Sequence, residues 1–343
     1  MTVSPTRAAT MADVARLAGV SLMTVSRVIN GNSNVSAATH DRVRDAMSRL
    51  SYKPNFMARG LVSGRSRTIG LITFATSLYG PGSAMLGIER AARERGYGVS
   101  IATLPTLDRA SLTAALDSLA ERSADGIITI APQVGAANAV AHLGGALPLV
   151  AVEAGPRGSA PVVEVDQRLG ARLATEHLLG LGHETVWHIS GPRDWFESRE
   201  RIEGWREALS DAGVAAPRLL HGNWSAASGY AAAQELLGYG DLATAVFAAN
   251  DQMALGLMHA LHERGMSAPH PISIVGFDDI PESGYFSPSL TTVHQDFDEM
   301  GRRGVELLIE MLEGGTVEAD RVEVISPELV VRSSSAPPIR KLS

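Results

Sequence analysis

The feature that most restricts the fold of this chain is a regular alternation of apolar runs and amphipathic segments, which begins at Thr68. Runs such as IGLITF at 69–74 and LPLVAVE at 147–153 are short and continuous, as is typical of parallel strands that are buried on both faces. The segments between them, such as DQMALGLMHALHERG at 251–265, have helical spacing, and several end in Gly. We therefore predict an α/β fold with doubly wound parallel sheets. Because roughly ten strands exceed one comfortable sheet, we expect two subdomains.

Residues 10 to 30, TMADVARLAGVSLMTVSRVIN, predict two short helices joined by a tight turn. Thr10 and Asp13 have the spacing of a capping box at the start of the first helix. Gly19 is suited to end that helix, because a helix commonly ends at a residue with positive φ. Ser21 is a good cap for the second helix.

The two faces of this second helix differ in chemistry. One face carries apolar residues at helical spacing, namely Val25, Val28 and Ile29. The other mixes apolar, hydroxyl, guanidinium and amide groups, from Leu22, Met23, Ser26, Arg27 and Asn30. Such a face suits a DNA major groove, where Arg can bind guanine, Asn can bind adenine and apolar groups can contact thymine methyls. An ordinary helical hairpin packed on a core has the same spacing, so this pattern alone leaves both interpretations open.

The charge of the chain is unevenly divided. The formal net charge is −7, which by itself argues against a nucleic-acid partner. Residues 1–67, however, carry ten Arg and Lys against three Asp, a net charge of +7, and the remaining residues carry twenty basic against thirty-four acidic side chains. A basic head on an acidic body is the electrostatic pattern of a DNA-binding module joined to another domain.

The next residues extend the helical pattern and show a family resemblance. SNVSAATHDRVRDAMSRLSY at 33–52 predicts a third helix, with Ser36 as its cap and Val43, Met47 and Leu50 facing inward. With DVARLAGVS, TVSRVIN, VSAATHDRV and YKPNFMARGL in this order, the chain closely resembles the LacI family of transcriptional repressors. The resemblance implies a homodimer that binds a pseudo-palindromic DNA operator. It also implies the DNA-binding residues, which are Leu22, Met23, Thr24, Ser26, Arg27, Asn30, Tyr52, Asn55, Ala58 and Leu61.

A short segment follows Pro54, which ends the third helix. Asn55 can cap a helix that runs to about Leu61, but such a short helix with Gly60 in it cannot offset the cost of nucleation. We therefore expect this segment to be disordered in the free protein and helical only on DNA. The resemblance implies a hinge helix in the minor groove, with Leu61 as a wedge in the central base step and Ala58 packing beside it. Alternatively, Leu61 covers the junction to the larger domain.

The resemblance extends over the rest of the chain and implies a periplasmic-binding-protein-like body. We expect a helix-turn-helix domain at 1–54, a hinge helix and linker at 55–67, an effector-binding and dimerisation domain at 68–335 and a flexible tail at 336–343. Within the body, we expect subdomain 1 at about 68–163 and 292–324, and subdomain 2 at about 164–291 and 325–335. The tail has no leucine heptad of the kind that makes tetramers in some relatives, so we expect a dimer.

In sheets of this kind ligands bind at the carboxyl ends of the strands, which here meet at the cleft between the subdomains. Carboxylates, amides and a guanidinium can bind sugar hydroxyls, and aromatic faces can cover the apolar side of the ring. The resemblance implies effector-binding roles most directly for Arg201, Asn250 and Asp278, and then for Trp224 and Phe297. Phe74, Glu153 and Trp195 complete the predicted site. Asp278 could instead cap a turn, and Trp195 could simply cover its subdomain.

The composition restricts the remaining possibilities. The chain has no Cys and ten scattered His, so we expect no disulfide, no metal and no cofactor. It has no signal-like apolar segment, so we expect a cytoplasmic, non-membrane protein. No nucleophile and base pair stands out, so we expect no enzyme. The prediction is a repressor that a small carbohydrate, such as a disaccharide or glycoside, releases from DNA. The alternatives are a corepressor-type regulator tightened by a ligand such as a purine, a transport-type sugar-binding protein and a sugar-acting enzyme.

Overall fold

The computed structural model describes residues 9–29, 35–52, 65–74, 76–104, 109–130, 147–153, 158–239 and 243–339. The chain forms two compact units, Met1–Ser66 and Arg67–Ser343. The division between them falls where the basic head of the sequence meets the acidic body.

Three helices make up the described part of the smaller unit: α1 (Met11–Ala18), α2 (Leu22–Ile29) and α3 (Ala37–Arg49). The capping box of α1 is present, because Thr10 Oγ1 accepts from the N–H of Asp13 at 3.3 Å and the Asp13 carboxylate accepts from the N–H of Thr10 at 2.9 Å. Gly19 ends α1 with φ at 64°, and Ser21 caps α2. The helices enclose one small apolar core of Val14, Ala15, Ala18, Val25, Val28, Val43 and Ala46. The helix starts and the turn predicted from the sequence are confirmed.

The larger unit alternates helices and strands. Its described helices are α4 (Tyr79–Glu94), α5 (Arg109–Glu121), α6 (Gln167–Gly180), α7 (Phe196–Asp211), α8 (Ala226–Leu237), α9 (Asp251–His262) and α10 (Phe297–Leu312). Its described strands are β1 (Thr68–Thr73), β2 (Gly98–Thr103), β3 (Gly126–Ile130), β4 (Leu149–Val152), β5 (Val162–Val165), β6 (Trp187–Ser190), β7 (Leu220–His221), β8 (Ala245–Ala248), β9 (Ser273–Asp278), β10 (Thr291–His294), β11 (Val322–Ile325) and β12 (Glu328–Val330).

These strands form two six-stranded sheets. The first has the order β11-β5-β4-β3-β1-β2, and the second has the order β12-β10-β9-β8-β6-β7. Neighbouring strands run parallel, except that β12 is antiparallel to β10. The sequence runs predicted as strands are nearly all apolar and buried, because each sheet has helices on both faces.

Each sheet is covered by one layer of helices on each of its two faces. In the first, α4 and α10 pack on one face and α5 on the other, and in the second α6 and α7 lie opposite α8 and α9. Helices α4 and α10 approach so closely that a Cβ on Gly301 would lie 2.3 Å from the backbone carbon of Gly87. The predicted fold class, two doubly wound subdomains joined to a small all-α domain, is confirmed.

Among the described residues the chain crosses between the sheets three times, and the first two crossings lie a few residues after the approximate boundaries expected from the sequence. The sequence predicts the first near residue 163, but β5 pairs with β11 along the whole of Val162–Val165 and belongs to the first sheet. It predicts the second near residue 291, but β10 pairs with β9 as far as His294 and belongs to the second sheet. In both cases the ladder of hydrogen bonds continues to the end of the apolar run, so the chain crosses only after it.

The segment after β12 is held against the second sheet. The N–H of Ala336 donates to Ser273 Oγ at 3.0 Å, and the Ser273 hydroxyl donates to the Ala336 carbonyl at 2.9 Å. Ala336, the first residue of the expected tail, is therefore hydrogen-bonded to the second sheet, and residues 340–343 lie outside the described part. Within the described ranges, no helix is long and apolar enough to cross a membrane.

Candidate functional site: the outer face of helix α2 and a cavity between the sheets

Helix α2 presents a mixed face to solvent. Leu22 and Met23 are 53% and 64% exposed, and Arg27 is also exposed. On the opposite side Val25 and Val28 are buried in the core of the small unit. Large apolar side chains that remain exposed beside a guanidinium, on a helix with a firmly packed inner face, form a surface that a partner could read.

The other predicted DNA-binding residues fall into two groups. Thr24 and Ser26 are half-buried on α2, and Tyr52 packs with part of its ring against the small core. Asn30, Asn55, Ala58 and Leu61 lie outside the described residues, as does the predicted hinge helix.

A cavity of about 210 Å³ lies between the two sheets of the larger unit, where strands of both sheets end. It brings together seven of the eight predicted effector residues: Glu153, Trp195, Arg201, Trp224, Asn250, Asp278 and Phe297. Phe74 is not among the described residues that line it. At that end of the first sheet the lining comes instead from residues 77–81, which begin α4.

Arg201 is the central cation of the cavity and is 4% exposed. Its Nε donates to Gln167 Oε1 at 2.8 Å, its Nη1 donates to the Ala249 carbonyl, and its Nη2 lies 3.6 Å from Asp278 Oδ1. Its guanidinium carbon stands 3.7 Å from the centre of the Phe277 ring. Position and direction of this side chain are therefore fixed before any ligand binds.

Two glutamines close a ring of hydrogen bonds with Arg201 and Asp278. Gln167 Nε2 donates to Gln295 Oε1 at 2.7 Å, and Gln295 Nε2 donates to Asp278 Oδ1 at 2.7 Å. Gln167 follows the first crossing between the sheets and Gln295 lies on the second. The ring therefore joins side chains of the cavity to the two crossing segments. A rotation of one subdomain against the other would bend the chain at these segments.

Asn250 has a structural task that the sequence interpretation missed. Its Oδ1 accepts from the N–H of Met253 at 2.9 Å and so caps α9. Its Nδ2 donates to the Trp224 carbonyl at 3.0 Å and to Gln252 Oε1 at 2.8 Å. Most of its hydrogen-bonding capacity is thus used within the protein.

Two tryptophans form an aromatic wall. The rings of Trp195 and Trp224 meet edge to face, with centroids 5.6 Å apart. Trp224 packs over Gly191, where an added Cβ would lie 2.2 Å from its ring. The Trp224 Nε1 is buried and has no hydrogen-bond partner among the described residues. A buried donor without a partner is rare in native proteins and calls for an explanation such as a ligand acceptor.

Glu153 and Glu197, which we call the carboxyl wall, lie on another side of the cavity, where Glu197 is buried and Glu153 is half-buried. Burial, followed by repulsion from Glu197 and Asp278, raises the pKa of Glu153 well above its usual value. Burial also raises the pKa of Glu197 to about 7, although a hydrogen bond from its own backbone N–H and the charge of Arg201 oppose that shift. Both carboxyl oxygens of Glu197 and Oε2 of Glu153 lack a hydrogen-bond partner in the described structure.

Backbone strain coincides with the acidic residues of the cavity. Glu153 has φ at 73° and Asp278 has φ at 103°, a region that non-glycine residues rarely adopt. Burial raises the pKa of Asp278 to about 7, with Arg201 opposing the shift. Strain of this kind costs roughly 1–3 kcal/mol per residue and is common at ligand sites.

Sequence reasoning found the strand ends but missed the polar residues beside them. Glu197, Gln167 and Gln295 line the cavity and were not predicted. Glu197 stands four residues before Arg201, a spacing that places both on one face of α7. Trp205, a third tryptophan of this region, belongs to the core instead, because it is 1% exposed and donates to the Val186 carbonyl at 2.8 Å.

Comparison with known proteins identifies the family of the chain. A family model described as bacterial regulatory proteins, lacI family, matches residues 10–55, and one described as a periplasmic binding protein-like domain matches residues 175–335. The lactose operon repressor of Klebsiella pneumoniae is 35% identical over 97% of this chain and 94% of its own length. This chain belongs to the LacI family. It is also 33% identical to the ribose operon repressor of Escherichia coli strain K12, over 95% of this chain and all of that repressor.

Solved structures of LacI-family proteins are similar to this chain over nearly its whole length. The lac repressor dimer bound to operator and the anti-inducer ONPF has a TM-score of 0.83 and 32% identity, and the match covers 96% of this chain and 100% of that one. A complex of the transcriptional regulator CelR with cellobiose has a TM-score of 0.71 and 31% identity, over 95% and 99% of the two chains. The fold and the family of DNA-binding repressors are therefore established for this chain.

Proposed function

We propose that this LacI-family protein represses carbohydrate-utilisation genes in the cytoplasm and that a small sugar releases it from its operator. The observation that carries the proposal is the lining of the cavity, which combines a fixed guanidinium, buried carboxyls and a tryptophan wall. The guanidinium can donate hydrogen bonds to ring hydroxyls and the carboxyls can accept them. Trp195 and Trp224 can cover the apolar face of a sugar. Relatives named for lactose and ribose operons and the cellobiose complex support the same class of ligand.

For the DNA end, we propose that α2 enters the major groove with its exposed face. Leu22 and Met23 project apolar groups that suit thymine methyls, and Arg27 suits guanine. The positive charge of the head supplies sequence-independent attraction to phosphate. The roles of Asn30, Asn55, Ala58 and Leu61 stay predictions from the resemblance.

We also propose a homodimer, because large apolar side chains remain on the surface of the larger unit. Leu86, Leu255 and Tyr285 are 60%, 42% and 90% exposed. Exposed apolar groups of this size become part of a protein interface where they form one contiguous patch. A pseudo-palindromic operator needs two copies of α2, and a dimer presents them with matching symmetry.

The release mechanism follows from the hydrogen-bonded ring of Arg201, Gln167, Gln295 and Asp278. A sugar hydroxyl that binds Arg201 or Asp278 competes with the bonds to the glutamines, and both glutamines lie at crossings between the sheets. Ligand binding therefore acts directly on the segments that set the angle of the cleft. A ligand that favours one cleft angle by about 1–3 kcal/mol is sufficient for allosteric release.

The experiment is operator binding, measured by fluorescence anisotropy at fixed salt, against a panel of mono- and disaccharides. We expect at least one sugar to weaken operator binding ten-fold or more. A ligand that instead tightens binding, such as a purine, would make the protein a corepressor-type regulator. Consumption of a sugar by the protein would indicate an enzyme.

Two variants separate the two ends of the molecule. Asp278→Asn keeps an acceptor for Gln295 and should leave operator affinity intact while the sugar loses its effect. Arg27→Ala should weaken operator binding by about 1–3 kcal/mol at one base position and leave sugar affinity unchanged. If Asp278→Asn still responds to the sugar as the unaltered protein does, this cavity is not the effector site.

A further inference from the structure

The cavity between the sheets holds more acidic than basic groups. Its described lining includes three carboxyl side chains, Glu153, Glu197 and Asp278, and one cation, Arg201. When all of them are ionised, one positive group stands against three negative ones, a net charge of −2. Arg201 is already engaged within the protein, because it donates two hydrogen bonds and lies 3.6 Å from Asp278. The cavity therefore has negative charge that its own cation does not balance.

The carboxyl wall receives little support from the rest of the described structure. Glu197 is 8% exposed, and neither of its oxygens accepts a hydrogen bond from another described residue. The same holds for Oε2 of Glu153. Burial first, and then repulsion from the neighbouring acids, raises the pKa of Glu153. Because buried carboxylates are normally paired or hydrogen-bonded, this arrangement points to a positive group that the protein itself does not supply.

Aromatic rings line the cavity beside these acids. Tyr79 and Phe297 meet edge to face, with centroids 5.8 Å apart, as the two rings of the tryptophan wall do. The face of an aromatic ring attracts cations, and ammonium groups are commonly bound by such rings. One ring of the cavity already faces a cation, because the Arg201 guanidinium lies 5.5 Å from the centre of Trp224. The lining is thus suited to a positive charge in two ways, by its acids and by its rings.

An acid and a ring of the cavity come together at Gly80. A Cβ placed on Gly80 would lie 3.3 Å from Glu153 Oε1 and 3.7 Å from the Phe297 ring. Because glycine has no side chain, a ligand group can approach both of them from the cavity. A hydroxyl in this place gains one hydrogen bond, whereas an ammonium group gains a charged hydrogen bond, the attraction of the ring and the balance of charge.

We propose that the effector carries an ammonium group, so that it is an amino sugar rather than a neutral or an acidic one. The ammonium group lies beside Gly80, next to Glu153 and the Phe297 ring, and the hydroxyls of the sugar keep their contact with Arg201. A phosphate or carboxylate on the ligand would add to the excess of negative charge and would be repelled. This inference rests on the proposed sugar response and adds the charge of the ligand.

Matched sugars test the charge directly. Glucosamine, glucose and N-acetylglucosamine differ only in an ammonium, a hydroxyl or an uncharged amide at one position, and galactosamine, galactose and N-acetylgalactosamine repeat the comparison. Chitosan disaccharide, cellobiose and diacetylchitobiose extend it to two units, and glucose 6-phosphate adds an anion. Calorimetric titration of the full chain at pH 7 and fixed salt should show one amino sugar that binds at least ten-fold more tightly than both uncharged counterparts. Glucose 6-phosphate should bind no more tightly than glucose.

Variants test where the ammonium group lies. The quantity to compare is the ratio between the affinities for the amino sugar and for its hydroxyl counterpart. Glu153→Gln removes one negative charge at nearly constant size and should lower this ratio at least five-fold. Phe297→Leu removes the ring and should lower it as well. Glu203→Gln, on the exposed side of α7, should leave the ratio unchanged, and operator binding without sugar checks that each variant is folded.

Two results would overturn the amino-sugar proposal and leave the sugar response intact. One is an uncharged or phosphorylated sugar that binds at least as tightly as the amino sugar of its set. The other is a ratio that Glu153→Gln and Phe297→Leu leave unchanged. Failure of every sugar to bind a protein that still binds DNA would contradict the proposed sugar response itself, and this inference with it.

Discussion

Two groups of buried carboxyls in the larger unit have opposite surroundings. Asp251, the first residue of α9, is fully buried and fully bonded. Its Oδ2 accepts from the N–H of Ile280 at 2.9 Å and from the Ser283 hydroxyl at 2.6 Å, and its Oδ1 accepts from the Thr292 hydroxyl at 2.6 Å. Glu197 is equally enclosed, but neither of its oxygens has a partner in the described structure.

The difference separates a structural carboxylate from one that is available to a ligand. Burying a charge is costly, and hydrogen bonds offset the cost only where they are made. Asp251 joins α9 to β10 and to the turn after β9, so its bonds stabilise the second subdomain. Glu197 is supported mainly by the charge of Arg201 and by its own backbone N–H, and it makes no hydrogen bond to another side chain in the described structure.

The largest expected effect is that of Asp251→Ala. It leaves three buried donors without an acceptor, at Ile280, Ser283 and Thr292, so the free energy of unfolding should fall by about 3–5 kcal/mol. Urea denaturation would measure the loss, with Glu235→Ala on the surface as the control. A loss under about 1 kcal/mol, which is within ordinary surface effects, would contradict the structural role of Asp251.

The second effect has the opposite sign and depends on pH. Because burial raises the pKa of Glu197 to about 7, the native state holds more protons than the unfolded state between about pH 4.5 and 7, and stability falls as pH rises through that range. Glu197→Gln removes this loss, so it should gain up to about 3 kcal/mol more at pH 8 than at pH 4. Glu203→Gln, on the exposed side of α7, should show no such difference. An equal effect of Glu197→Gln at both pH values would mean that Glu197 does not titrate as inferred.

The smallest effect on stability is expected for Trp224→Phe. The ring is replaced by a smaller one, but a buried N–H without a partner is removed as well, so the two changes offset each other to within about 1 kcal/mol. Sugar binding should nevertheless weaken ten-fold or more, which titration calorimetry would detect. Unchanged sugar affinity would show that the Trp224 Nε1 is not a ligand donor.

How much could be predicted from the sequence depends on how local each signal is. The capping box at Thr10, the turn at Gly19 and the cap at Ser21 depend on neighbours a few residues away, and the structure confirms them. The long buried strands were equally predictable, because continuous apolar runs have few other uses. Short β7 at Leu220–His221 carries too few residues for a pattern and was missed.

The cavity was predictable only in part. Residues at strand ends such as Glu153 and Asp278 converge because parallel strands end on one side of a sheet. Gln167 and Gln295 enter the cavity because they follow β5 and β10, where the chain crosses between the sheets, and neither stands at a strand end that the sequence pattern singles out. Whether a buried carboxyl is bonded, as Asp251 is, or unpartnered, as Glu197 is, depends on residues far away in the chain, and no local pattern reports it.

The most direct test counts the protons that the free protein loses when the sugar that releases it from operator binds. The charged groups that act most strongly on Glu197 in the described structure are the acids Glu153, Asp278 and Glu164 and the cation Arg201. Hydroxyl donors favour the ionised carboxylate and lower its pKa, so binding at pH 7 should release protons, and the calorimetric enthalpy should vary with the ionisation enthalpy of the buffer. Glu197→Gln should reduce that variation. An enthalpy that is the same in all buffers would contradict the claim that the carboxyl wall receives the ligand.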